Sequence, residues 1–210
     1  MQTITVETVT HGRVLYLDRG AERLLVSFHG YGEDAAANLA EIERIPGIAR
    51  WSVAAVQALH PFYTRSGAVV GSWMTSLDRE LAIADNIAYV QRVLAQLPQP
   101  RTLVFAGFSQ GAAMAARAAA HAAPCAGVVL LGGDVPPEIV NDPDVALPPV
   151  LLGRGTRDEW YTDEKFRRDL AFLESKAKVA RCVFGGGHEW SDAFRSAMGE
   201  FLTSCDATVA

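Results

Sequence analysis

The sequence has little that would draw it to a polyanion or into a bilayer. Its 19 Lys and Arg are outnumbered by 24 Asp and Glu, giving a formal charge of −5, and they gather into no local cluster. Such a balance provides no general attraction for phosphate backbones or anionic lipid. Nucleic acid is therefore not an expected partner. No apolar run approaches a membrane-spanning length, and the opening "MQTITVETVT" has neither a basic n-region nor an apolar h-region. A soluble, unexported protein without stable membrane insertion is expected. Cysteine is scarce too: Cys125, Cys182 and Cys205 are the three present. They lack metal-ligand spacing and sit among apolar residues, so they read as reduced core thiols in a cytoplasmic protein, with no metal and no cofactor. Internal repeats, low-complexity blocks and interdomain linkers are missing as well, which leaves one domain over residues 1–210.

What is present is apolar material in regular alternation. Half of the residues are hydrophobic, enough for a substantial core in one α/β domain. "TITVETV" and "RVLYLD" flank "THG" and predict an N-terminal antiparallel hairpin. Then come "RLLVSFHG", "SVAAVQAL", "TLVFAGFS", "AGVVLLGG", "VLLGRG" and "ARCVFGGG", apolar runs of the kind that a sheet covered on both faces requires. Helical periods fill the gaps, through Ala35, Leu39, Ile42 and Ile45, through Leu81 to Leu97, through Phe166 to Ala177, and through Trp190 to Phe201. The pattern predicts an α/β fold, a mostly parallel central sheet with helices on both faces. Two stretches break the rhythm, 60–76 and 134–149, and read as long loops at the carboxyl edge of the sheet, where ligands bind. Neither is long enough for a large cap domain.

One serine stands out. Gly107-Phe108-Ser109-Gln110-Gly111 follows the strand "TLVFA" and precedes the small-residue run "AAMAARAAAHA". This is G-x-S-x-G in a strand-turn-helix context, in which a sharp turn strains and exposes the serine and the glycines avoid collisions. The turn also aims the Gln110 amide, and the positive end of the next helix, at negative charge developing beside Ser109. A serine that merely caps a helix would not need a glycine on each side.

A serine hydroxyl needs a base, and histidine suits that role near neutral pH. Of the five histidines, His11, His60 and His121 read as surface or structural. His188 closes "VFGGGHEW", a glycine-rich turn that can carry an imidazole over the sheet edge. An orienting acid should lie between Ser109 and His188 in chain order. Asp158, after "PVLLGRG", is the best placed, and Asp134, after "VVLLGG", is its rival; Glu159 and Asp163 read as helix-start charges. "SFHGYGED" ends the first long strand with Glu33 and Asp34 opening a helix, and its glycine pattern turns the Tyr31 amide toward the site as a second oxyanion donor.

Together "SFHGYGED", "GFSQG", "GTRDEW" and "GGGHEW" make the chain resemble the α/β-hydrolase superfamily, and within it the small phospholipase/carboxylesterase family that includes acyl-protein thioesterases. The resemblance covers about residues 22–204. It implies a single α/β-hydrolase domain with catalytic Ser109, Asp158 and His188, and an oxyanion hole from the amides of Tyr31 and Gln110. It also matches the family's Ser-Trp-Phe-Asp loop to "GSWMTS" and so makes Trp73 a wall of the acyl pocket. The loop continues Met74-Thr75 in place of Phe-Asp, and Arg154-Gly155 stands where His-Gly is usual, so substrate preference can differ. Phe62, Tyr63, Met74 and Trp160 join Trp73 as residues that either line an apolar pocket or belong to the core. The expected substrate is a small ester of short to medium acyl chain, with thioesters and lysophospholipids as the alternative. A hydrolase-fold binding protein without turnover is the reading from another class, and monomer and homodimer are both left open.

Overall fold

The computed structural model describes residues 1–207. Seven strands form one sheet: β1 (Arg13–Leu17), β2 (Arg23–Phe28), β3 (Ser52–Gln57), β6 (Thr102–Phe108), β7 (Gly127–Leu131), β8 (Val150–Gly155) and β9 (Val179–Phe184). Their spatial order is β1-β3-β2-β6-β7-β8-β9. All neighbours run parallel except β1, which is antiparallel to β3. Two further strands, β4 (His60–Tyr63) and β5 (Val69–Ser72), pair only with each other.

The inner strands are apolar at most positions on both faces because each face of the sheet carries a helix layer. Alternate residues divide between the two. Leu24, Val26, Phe28, Leu103 and Phe105 face a core closed by α2 (Arg79–Gln96), α3 (Gln110–His121) and α5 (Asp163–Lys176). Leu25, Val104, Ala106, Val129 and Leu131 face the opposite core, closed by α1 (Ala35–Glu43) and α6 (Asp192–Ala207). The alanines of α3 make it thin: Ala112, Ala115, Ala116 and Ala118 are buried, which lets the helix lie close against β6 and β7.

Antiparallel pairing does occur at the N-terminal edge, but with another partner than the sequence predicts. Val14 lies opposite Val56 and Tyr16 opposite Ala54, while residues 3–9 carry no strand and Ile4, Val6 and Val9 are exposed. A seven-residue alternating segment has little apolar surface to bury by itself, whereas β3 offers β1 a full ladder on an already packed sheet. The run 179–184 is an edge strand with Ala180, Arg181 and Val183 exposed, so charge protects it from further pairing.

The stretch 60–76, read as a loop, holds the β4–β5 hairpin, closed where the Ala68 amide donates to Thr64 Oγ1 at 3.1 Å and the Thr64 amide to the Ala68 carbonyl at 2.9 Å. Its strands are too short and too interrupted by Pro61 and Gly71 to stand out as a period in the sequence. The stretch 134–149 carries only the single-turn α4 (Pro137–Val140). Buried Arg117 of α3 donates to Glu138 of α4 at 2.6 Å, and Arg79 at the start of α2 donates to the same carboxylate at 2.8 Å, which ties this stretch to both helices.

The cysteines are free, and burial pushes Cys125 up to about 12 and Cys205 up to about 11. A raised thiol pKa starves the nucleophilic thiolate at neutral pH. Iodoacetamide at pH 7.5 is expected to leave both unmodified in the native protein and to alkylate them rapidly in urea, as read by intact mass.

Candidate active site

The C-terminal ends of the parallel strands bring three sequence-distant side chains together. Ser109 follows β6 with φ 55° and ψ −120°, a region that side-chain-bearing residues rarely occupy and that costs on the order of 1–3 kcal/mol. The flanking glycines make it possible. A Cβ on Gly107 would lie 1.9 Å from the Gly111 carbonyl oxygen, and one on Gly111 would lie 2.1 Å from that of Phe28. Both are far inside contact distance, so any side chain at either position would force the turn open. The Ser109 amide donates to the Leu131 carbonyl at 2.8 Å, which pins the bend to β7.

His188 arrives from the turn after β9. Its Nε2 is 2.8 Å from Ser109 Oγ, and its Nδ1 is 2.8 Å from Asp158 Oδ2. Asp158 stands after β8 with its side chain 1% exposed. Its other oxygen, Oδ1, accepts from the amides of Trp160 at 2.9 Å and Tyr161 at 2.8 Å. The carboxylate is thus an acceptor throughout, so it holds Nδ1 as the protonated nitrogen and leaves the Nε2 lone pair for the serine proton. The imidazole rests on the Phe108 ring at 4.8 Å between centroids. Asp134 lies elsewhere and is engaged by Lys165 and Arg168, each at 3.1 Å. His11, His60 and His121 are exposed.

The loop between β2 and α1 flanks the serine. A Cβ on Gly30 would come within 3.3 Å of Ser109 Cβ. Next to it, the Tyr31 amide has no acceptor among the described residues, and neither has the Gln110 amide at the start of α3. Both donors are left for a ligand, as an oxyanion site needs. The loop is anchored from several sides. The Gly32 amide donates to the Gly71 carbonyl at 3.0 Å, and the Gly71 amide to the Glu33 carbonyl at 2.8 Å. Buried His29 accepts the Ala58 amide on Nε2 at 3.0 Å and has Nδ1 2.7 Å from the Gly30 carbonyl. That pattern fits a neutral ring, and burial lowers its pKa accordingly.

Trp73 departs from its expected place. It is 0% exposed and packs edge-on against Phe28 at 5.4 Å, so it has no surface with which to line an acyl pocket. Its indole N–H donates to the His29 carbonyl at 2.8 Å, an internal brace under the oxyanion loop. An indole buries more apolar area than its neighbours when turned inward, and here it finds a partner for its one donor. Trp73→Phe leaves that carbonyl buried and unpaired, a loss of about 1–3 kcal/mol, expected as a lower urea midpoint at unchanged m-value. Gln110, chosen only for its amide, also works with its side chain: Oε1 accepts the Trp73 amide at 2.9 Å and Nε2 donates to the Met74 carbonyl at 2.9 Å. Phe62 stacks on Tyr31 at 5.5 Å, Met74 is half-buried, and Trp160 and Tyr63 are exposed.

On the far side of His188 is a cavity of about 620 Å³ between α1 and α6 that the sequence did not disclose. It is lined by Glu33, Asn38, Arg195 and Trp190 among others. Glu33, read as a helix-start charge, folds back and accepts the Gly30 amide at 2.7 Å, while Asp34 caps α1 through the Ala37 amide at 2.8 Å. Burial raises the Glu33 pKa. The available signal was Asn38, a polar residue at the helical spacing of Ala35 and Ile42 on the buried face.

Among the described residues, no helix is long and apolar enough to cross a membrane, and no group of three or more His, Cys, Asp or Glu could hold a metal. No protein-family sequence model matches the chain, and neither does any curated protein sequence. Solved structures do match in shape. Esterase PE8 shares 23% identity with TM-score 0.74 over 92% of this chain and 98% of its own. A carboxylesterase from Mesorhizobium loti shares 18% with TM-score 0.74 over 91% and 94%. Acyl-protein thioesterase 2 of Zea mays shares 19% with TM-score 0.73 over 95% and 100%. The chain has the α/β-hydrolase fold of these structures.

Proposed function

From that fold and this constellation, we propose that the chain is a serine hydrolase that cleaves carboxylic esters of short to medium acyl chain, with thioesters second. The observation that carries the reading is the strained Ser109 with its Oγ 2.8 Å from His188 Nε2, itself oriented by buried Asp158. Ser109 Oγ attacks the carbonyl carbon as its proton passes to His188 Nε2, and the carbonyl oxygen takes the electron pair between the amides of Tyr31 and Gln110. Collapse of the adduct breaks the bond to the leaving oxygen or sulfur, which receives the proton from His188. Water, deprotonated by the same nitrogen, then releases the acid and restores the serine. Oriented amides, in place before the charge develops, supply much of the stabilisation of that oxyanion.

The neighbours described as esterase, carboxylesterase and acyl-protein thioesterase support this reading by fold. Phe62, Met74 and Trp160 supply apolar surface for the acyl chain from the β4–β5 hairpin and the turn after β8. Three free cysteines fit a reducing compartment, the cytoplasm. A fluorophosphonate probe is expected to label wild-type protein at Ser109 and to spare Ser109→Ala. A panel of nitrophenyl esters and acyl thioesters of graded length should show a peak in kcat/KM. Failure to label would leave a pocket without turnover, and the hydrolase reading would be withdrawn.

A further inference from the structure

The cavity beside His188 differs in chemistry from the apolar surface expected to meet an acyl chain. Four carboxylates border it, from Glu33, Glu41, Glu189 and Asp192, against two guanidiniums, Arg44 and Arg195. Those guanidiniums are already engaged. Arg195 donates to Glu41 at 3.1 Å and to Asp192 at 2.5 Å, and Arg44 lies 3.4 Å from each of the same two carboxylates. Glu33 has no Lys or Arg partner among the described residues. A Cβ on Gly30 would lie 3.1 Å from Glu33 Oε2 and 3.3 Å from Ser109 Cβ, so the carboxylate and the nucleophile flank one spot.

Two other observations point to an occupant. Asn38 borders the cavity at 2% exposure, and both its amide atoms are buried without a partner. An apolar chain beside it would leave that dipole unmet, which is costly, whereas the charge of an ammonium is attracted to its oxygen end. The aromatic rings of Phe108 and Trp190, 6.1 Å apart, form part of the same wall. Aromatic rings next to an uncompensated carboxylate make a setting for an organic cation.

Position decides which part of a substrate enters. The leaving atom must stand by the imidazole that protonates it, and His188 borders this cavity whereas Met74, Phe62 and Trp160 do not. Resting on the hydrolase reading above, we propose that the cavity receives the leaving group and selects alcohols or thiols that carry an organic ammonium, with the Glu33 carboxylate as counter-ion and the Trp190 and Phe108 rings as its wall. Phosphorylated leaving groups are disfavoured by the same unbalanced negative charge.

The test compares two butyrate esters of equal shape, the 2-(trimethylammonio)ethyl ester and its neutral carbon isostere, the 3,3-dimethylbutyl ester, by kcat/KM at low ionic strength. Wild-type protein is expected to prefer the cationic ester about tenfold, of the order that one desolvated cation contact supplies. In Glu33→Gln, whose side-chain carbonyl can still accept the Gly30 amide, the preference should fall to within about threefold of unity. Equal rates on the two esters in wild-type protein overturn the proposal. So does an equal loss on both esters in Glu33→Gln with the preference intact, since that is the mark of a residue that only braces Gly30. If neither ester is turned over and the fluorophosphonate does not label Ser109, the hydrolase reading fails and the proposal with it. Turnover of the neutral ester alone removes only the proposal.

Discussion

Ser109→Ala is expected to lower kcat/KM on the best nitrophenyl ester by roughly five to six orders of magnitude, because the members of such a triad act as a unit and losing the nucleophile removes the covalent path altogether. What rate remains should come from the oxyanion amides of Tyr31 and Gln110 acting on bound ester and water. A second variant separates chemistry from folding. Ser109→Gly should be equally inactive yet more stable by about 1–3 kcal/mol, since a residue without Cβ occupies φ 55° without the strain that serine bears there. Single-turnover kinetics and urea unfolding of the two variants check both statements. Full activity in Ser109→Ala would end the covalent mechanism.

Asp158→Asn comes next in size. In the native site one carboxylate oxygen takes the amides of Trp160 and Tyr161 and the other takes His188 Nδ1. An asparagine oxygen can keep the two amides, but its NH2 then faces Nδ1 and can only donate. The imidazole must answer with the opposite tautomer, its proton on Nε2, where it can no longer accept from Ser109. A fall of about 10⁴ in kcat follows, with little change in KM. Asp134→Asn is the matched control. Its carboxylate holds Lys165 and Arg168 at the surface, contacts worth about 0–1 kcal/mol each, so its activity should stay within a few-fold of wild type. Equal losses in the two variants would remove Asp158 from its assigned role.

The two aspartates also show where a one-dimensional reading stops. Each follows an apolar strand and each lies between the serine and the histidine in the chain; spacing favours Asp158 but does not by itself remove Asp134. In the fold, the turn after β8 lies beside the turn after β9: the Thr156 amide donates to the Phe184 carbonyl and the Arg157 amide to the Gly186 carbonyl, each at 2.8 Å. That pairing carries Asp158 to His188, while Asp134 is turned outward onto α5. Trp73, which the family resemblance made a pocket wall and which the residues alone left open as core, lies inside, where Phe28, His29 and Asn86 enclose it and its backbone.

By itself the sequence determined what rests on backbone sterics and short-range period. The alternation of apolar strands and amphipathic helices gave the layered α/β plan, and the glycines at 107 and 111 marked the serine bend, because the clashes that they avoid lie within the turn or against the adjoining strand. Only the tertiary structure decided which carboxylate meets the imidazole, which way Trp73 and Glu33 face, which strand β1 pairs with, and that α1 and α6 enclose a charged cavity beside His188. Those outcomes depend on side-chain directions at strand ends and on helices about 150 residues apart, and such directions are set by packing across the sheet, which no local pattern encodes.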